Sequence, residues 1–246
     1  MDVIARLDQA RAEINVLEHP FYQRWSAGEL SAAELARYAG EYQHAVLALA
    51  RASAQAADSA AEQAASSPVA AAHRAGLLAH AQEEAAHVQL WGQFQQAAAA
   101  ACAPADAHVP AHTPTPADTC AVAPAGGEPL AQTRACARAW EAGHDLLERL
   151  AVLYAIEASQ PEISATKLAG LSAHYGYSAE GPASEYFRVH EQRDVEHARA
   201  ARELIAALMA ESDGDDAAER MLACARAALR GNWLLLDGVE ALSAAA

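Results

Sequence analysis

His190, Asp194 and His197 stand four and three residues apart in YFRVHEQRDVEHARA. On an α-helix of 3.6 residues per turn that spacing projects all three side chains from one face. Two imidazoles and a carboxylate suit a divalent transition ion such as iron or manganese, because nitrogen donors favour it and the carboxylate offsets its charge. A second pair, Glu84 and His87, lies three residues apart in LLAHAQEEAAHVQLW. This is the Glu-x-x-His arrangement with which helix bundles aim two ligands at their core. Glu83 is four residues before His87, and spacing alone leaves it in competition with Glu84. Glu157, in the apolar run LAVLYAIEASQ, has no local cation, and burying a carboxylate is costly unless it is paired or bound to a metal. Three carboxylates and three histidines match the charge and hardness of two iron ions. Histidines at helical spacing also occur on solvated faces, but here each cluster adjoins large apolar residues: Leu90 and Trp91 after His87, Tyr186 and Phe187 before His190.

The elements that must position these groups are helical. Alanine dominates, proline and glycine gather in a few places and strand-like alternation is absent, so the class is all-α. The apolar period predicts helices at about 2–16, 31–56, 68–98, 130–144, 146–174, 182–210 and 215–243, seven in all. His19 and Pro20 break the chain after the first, and Ser31 with Glu34 three residues later makes a capping box at the start of the second. Between about 99 and 130 the chain is rich in proline and alanine and reads as an irregular surface loop. At 246 residues, with no linker between separable halves, a single domain over 1–246 is expected.

A net charge of -15 with no basic patch argues against nucleic acid as a partner. No apolar stretch is long enough to cross a membrane, and MDVIARLDQARAEI carries acids where a signal peptide would be basic and then apolar, so a cytoplasmic protein is expected. Cys102, Cys120, Cys136 and Cys224 lack zinc-like spacing and are read as reduced thiols, with Cys102 and Cys120 able to pair only in an oxidising setting.

With the ligand set in hand, the chain resembles the heme-oxygenase-like dimetal oxidases (a TenA/PqqC-like fold), and among them the CADD-type p-aminobenzoate synthases of folate biosynthesis. The resemblance spans nearly the whole chain. It rests on LEHPFYQRWSAGELSAAELARYAGEYQHAV, EEAAHVQLW, LYAIEASQPEISATKLAGLSAHYG and YFRVHEQRDVEHAR, in family order. It implies a bundle of about seven helices, and two divalent ions, both iron or one manganese and one iron, at Glu84, His87, Glu157, His190, Asp194 and His197. It also implies dioxygen as co-substrate, an external reductant from an unidentified electron donor, and a homodimer. Proteins of this type take the aromatic ring from one of their own tyrosines and the amine from one of their own lysines. The matching positions are Tyr22, in HPFYQRW, and Lys167, in PEISATK, with Tyr38 and Tyr42 available to line the same cavity.

The sequence adds a comment of its own. Of 17 Lys and Arg residues, Lys167 is the single lysine. A primary amine can lose its proton and donate nitrogen when desolvated, whereas a guanidinium stays protonated and delocalised. Lys167 also follows Glu157 by ten residues, close to three helical turns. The competing readings are a dimetal oxidase acting on an external amino acid or fatty acid, and a non-enzymatic regulatory or interaction protein. A thiaminase-like hydrolase would need a nucleophilic cysteine, for which none of the four has a matching context. A heme would need His19 or His44 as axial ligand and would leave the dimetal set unexplained.

Overall fold

The computed structural model describes residues 2–102, 128–211 and 215–244. Within them the chain forms nine α-helices and no strand. These are α1 (Val3–Glu13), α2 (Pro20–Ala27), α3 (Ala32–Gln63), α4 (Pro68–Cys102), α5 (Ala131–Trp140), α6 (Leu146–Glu157), α7 (Gln160–His174), α8 (Glu185–Glu211) and α9 (Asp215–Ala244). Short 3-10 turns at Val16–Glu18 and Pro182–Ser184 join some of them. Most of the 99–130 segment expected to be irregular lies outside the described residues, although α4 continues to Cys102. Cys102 is in a disulfide, contrary to the expectation of a reduced thiol. That expectation rested on the lack of metal-like spacing, which says nothing about pairing. Cys136 and Cys224 are free, as expected.

Two helices beyond the expected seven have local causes. The stretch 146–174 divides at Ala158 and Ser159, because Pro161 in the first turn of α7 has no N–H to give and its ring would collide with a preceding carbonyl of a continuous helix. At the other junction, His19 caps α2, its imidazole accepting from the Phe21 amide, and Pro20 occupies the first turn. Gly28 closes α2 in the left-handed conformation at φ 73°. His19 thus serves as a cap, also bonded to Asp237 at 3.1 Å. The Ser31–Glu34 capping box forms as expected, and α3 runs seven residues past the expected end at 56.

The packing puts the ligand-bearing helices at the centre. The hairpin of α3 and α4 forms the longest contact in the fold, α8 lies against α4, α6 and α7, and α9 covers α5 and α6. Every residue of α6 from Leu150 to Glu157 is buried, the mark of a helix enclosed on all sides. The short α2 is docked on α7 through one tight contact: a Cβ at Gly170 would lie 2.5 Å from the Trp25 ring. The Trp25 indole N–H also donates to the Lys167 carbonyl at 3.2 Å. This contact sets Tyr22, on α2, beside Lys167, on α7. Gly170→Ala is therefore expected to push the two helices apart and lower stability by about 1–3 kcal/mol, the usual cost of overpacking a filled core, as read by denaturant unfolding.

Candidate metal centre and aromatic chamber

The six residues singled out in the sequence, five by spacing and Glu157 by its apolar surroundings, converge on one place in the core. Helix α4 contributes Glu84 and His87, α6 ends on Glu157, and α8 contributes His190, Asp194 and His197. A seventh donor, His80, joins them and was missed in the sequence. It lies four residues before Glu84 and seven before His87, on the same helical stripe, and that period was a signal available in LLAHAQEEAAHVQLW. The donors form two separate triads, Glu84 with His87 and His190, and His80 with Glu157 and His197. A third grouping of Glu84, Asp194 and His197 bridges them. Within each group one ligand atom per residue lies within 4.8 Å of the others.

Glu84 is the common element. Its Oε1 is 3.0 Å from His87 Nδ1 and 3.9 Å from both His80 Nε2 and His197 Nδ1, and its Oε2 is 3.8 Å from His190 Nε2. His80 Nε2 stands 2.9 Å from Glu157 Oε1, and His197 Nδ1 stands 3.3 Å from Asp194 Oδ1. Glu83 and Glu84, left as alternatives by spacing, separate clearly. Glu84 is 2% exposed inside the cluster, while Glu83 sits at its edge, bound by Arg193 at 2.6 and 2.9 Å and 3.3 Å from His197 Nε2.

Two contacts aim imidazoles inward. His190 Nδ1 lies 2.7 Å from the Tyr186 carbonyl, which can only accept, so the proton sits on Nδ1 and the lone pair of Nε2 faces the cluster. Glu83 engages the outer nitrogen of His197 in the same way and leaves Nδ1 inward.

Whether these groups fit a metal is tested by what they lack. Among the described residues, buried side-chain atoms without a hydrogen-bond partner include His80 Nε2, both Glu157 oxygens, His190 Nε2, both Asp194 oxygens and His197 Nδ1. Unpaired buried polar atoms are rare and costly, and such a concentration of them around one point fits a bound cation. Electrostatics agree. Burial pushes the Asp194 carboxyl up to about 6. Burial alone would lower His80, yet the neighbouring Glu157 outweighs it and raises the imidazole to about 9. Without an ion, protons take up part of the charge that a metal would supply.

On the other side of His190 lies a chamber of aromatic rings. Lys167 is 1% exposed, and among the described residues no carboxylate pairs with it. Its Nζ lies 4.6 Å from the ring centre of Tyr42, 5.1 Å from Tyr22, 5.4 Å from Tyr38 and 5.5 Å from Phe187. Burial brings its pKa down to about 7, so the neutral amine is populated near neutrality. The Tyr22 and Tyr38 hydroxyls are 3.0 Å apart, and burial holds both phenols well above their usual range. Gln160 donates to the Tyr42 hydroxyl at 3.3 Å. Packed rings join chamber to cluster: Tyr42 touches Trp91, Trp91 touches Tyr186, and Tyr186 stacks on His190 with centroids 3.9 Å apart. Tyr154, by contrast, turns away to donate to Asp8 at 2.6 Å.

Residues 57–232 match the model of a protein family described as an iron-containing redox enzyme. The chain belongs to that family. The matched span holds all seven clustered donors and Lys167. A second model, of the TENA/THI-4/PQQC family, matches residues 4–98, which include Tyr22 and Tyr38. A protein of Chlamydia muridarum named 4-aminobenzoate synthase is 28% identical over 231 residues, covering 89% of this chain and 84% of that protein. Among solved structures, a TenA homolog from Pseudomonas syringae superposes with a TM-score of 0.73 at 18% identity, covering 96% of this chain and 90% of that one. A domain from Shewanella denitrificans described as having a heme oxygenase-like fold superposes with a TM-score of 0.65 at 15% identity, covering 99% and 94%. The expected heme-oxygenase-like, all-helical architecture is therefore the one found.

Proposed function

We propose that this member of the family is an oxygen-dependent dimetal oxidase that releases p-aminobenzoate, taking the ring from Tyr22 and the nitrogen from Lys167. The observation that carries the reading is the position of the chain's single lysine, sealed among aromatic rings with its amine 5.1 Å from the ring centre of Tyr22. A buried lysine without a counter-ion weakens the fold, so its presence points to chemistry. The likeness to proteins named 4-aminobenzoate synthase, in a family of iron-containing redox enzymes, supports the same reading.

In this reading His80, Glu84, His87, Glu157, His190, Asp194 and His197 hold two ions, iron with iron or with manganese. When bound, the pair supplies the means to reduce dioxygen and oxidise a nearby phenol, with electrons from an external reductant. The chain's own residues do the rest. The chamber walls exclude water from Tyr22 and hold the ring and the amine together, so their reaction is intramolecular. Tyr38 holds the Tyr22 hydroxyl in place through the 3.0 Å hydrogen bond. Burial keeps much of Lys167 as free amine, with a lone pair for the ring carbon that bears the hydroxyl. Release requires cleavage of the Tyr22 Cα–Cβ bond, oxidation of Cβ to a carboxylate, exchange of the phenol oxygen for the Lys167 nitrogen, and cleavage of the Lys167 Cε–Nζ bond. Dioxygen provides the oxidising equivalents, and the external reductant supplies the further electrons that take dioxygen to water.

Tyr22→Phe tests the assignment of the ring. The phenyl ring preserves packing and leaves the metal donors untouched, so metal content should match the wild type while p-aminobenzoate formation falls to background, as read by mass spectrometry of reactions without added substrate. Undiminished release from this variant would move the source of the ring elsewhere. A second reading, oxidation of an external small molecule, draws on a cavity of about 230 Å³ that reaches His80, Glu157 and His197. It predicts product only when a substrate is added.

A further inference from the structure

That cavity has a feature which neither reading explains. It is walled by apolar residues, among them Leu77, Leu150, Leu153 and Leu204, and its floor is His80, Glu157 and His197, one complete triad of the cluster. The other donors, Glu84, His87, His190 and Asp194, are at most 4% exposed and do not border it. The polar side chains at its edge are engaged with one another: Arg193 binds Glu83 at 2.6 and 2.9 Å, and Glu83 lies 3.3 Å from His197. Apart from the candidate metal donors on the floor and His73 at the rim, whose Nδ1 lies 2.9 Å from the Val69 carbonyl, no polar side chain of the lining is left to orient a charged ligand.

Gly76 borders the same cavity and is exposed, which places it at the mouth. It lies within the 35-residue, alanine-rich α4, where glycine is markedly worse for helix stability than alanine. A Cβ at Gly76 would meet nothing within 4 Å, so no close packing calls for the missing side chain. Gly92 is equally free of neighbours but does not border the cavity. A side chain at Gly76 would start in open space at the border of the cavity.

We propose that this cavity is the port by which dioxygen reaches the His80–Glu157–His197 side of the centre, and that Gly76 keeps it open. A small apolar gas partitions into apolar space without needing hydrogen bonds, and an enclosed apolar cavity of about 150 Å³ takes up xenon. The assignment to dioxygen rests on the proposed oxidase reading. Occupancy of the cavity does not.

Xenon is the probe. Crystals of the full-length protein pressurised with xenon should show it between Leu150, Leu153 and Leu204 in the wild type, and should lose it in Gly76→Phe, with a partial loss in Gly76→Leu. Both variants should melt no lower than the wild type, since each replaces a helical glycine over open space, and having two plugs of different size guards against failure of either one to fold. In iron(II)-loaded protein, dioxygen uptake at low dioxygen should be several-fold slower in Gly76→Phe and should approach the wild-type rate as dioxygen is raised. Absence of xenon from the wild-type cavity, or dioxygen uptake unchanged by both plugs, would overturn the proposal. If the port behaves as stated and no p-aminobenzoate appears, the reading of the reaction fails and the port stands.

Discussion

Lys167→Met should abolish p-aminobenzoate release and at the same time make the protein more stable. The amine has a folded-state pKa of about 7, against about 10.5 when exposed, because burial disfavours its charged form. Between those values the unfolded chain binds a proton that the folded chain sheds, so wild-type stability rises with pH across the window from about 7 to 10.5. Below it both states are protonated and the penalty for the buried charge is complete. Methionine has similar volume and no charge, and its thioether packs well on aromatic edges. Removal of the penalty should raise unfolding free energy by an amount on the order of 3–5 kcal/mol at pH 7, shrinking toward zero by about pH 10.5. Denaturant unfolding at the two pH values checks it. Lys167→Arg should also end release but lower stability, because a guanidinium cannot shed its proton to suit an apolar chamber. A gain in stability coupled to a loss of product would mark Lys167 as retained for chemistry at the expense of the fold. Unchanged stability with methionine would mean that the amine finds compensation in solution.

The second large effect concerns Glu84. As the one carboxylate common to both sides of the cluster, within 3.9 Å of four histidines, it should be required for both ions. Glu84→Gln keeps the shape but removes the negative charge and replaces one oxygen lone-pair donor with an N–H group that opposes any cation. Metal content of protein produced with ample iron should fall from near two ions per chain toward none, whereas His80→Ala, which touches one triad, should retain the ion held by Glu84, His87 and His190. Helix content, read by circular dichroism, separates loss of metal from loss of fold, because each variant takes one partner from a buried charged pair. Two ions retained in Glu84→Gln would show that the centre is organised around other residues.

The parts of this account that were legible in the sequence are those governed by local period. Spacing of four and three brought His190, Asp194 and His197 to one face, and the same rule applied to α4 could have included His80. Spacing could not choose between Glu83 and Glu84, since a helix places both within reach of His87, and the choice is made by α8, whose Arg193 draws Glu83 outward. The extra helices follow from cap and proline chemistry at His19–Pro20 and Pro161, where a break was visible in one case and masked by continuous apolar pattern in the other. The neighbourhood of Tyr22 and Lys167 was suggested only by resemblance. Their proximity depends on the tertiary contact of Trp25 with Gly170, 145 positions apart, which no local pattern encodes.

Because Lys167 is the only lysine in the chain, protein grown with ε-¹⁵N-lysine carries that label at one side-chain atom. The measurement is mass spectrometry of such protein, loaded with metal and given dioxygen and reductant but no substrate. The account predicts p-aminobenzoate bearing ¹⁵N, together with a polypeptide altered at both Tyr22 and Lys167. Unlabelled p-aminobenzoate, or product formed while both residues remain intact, would contradict it.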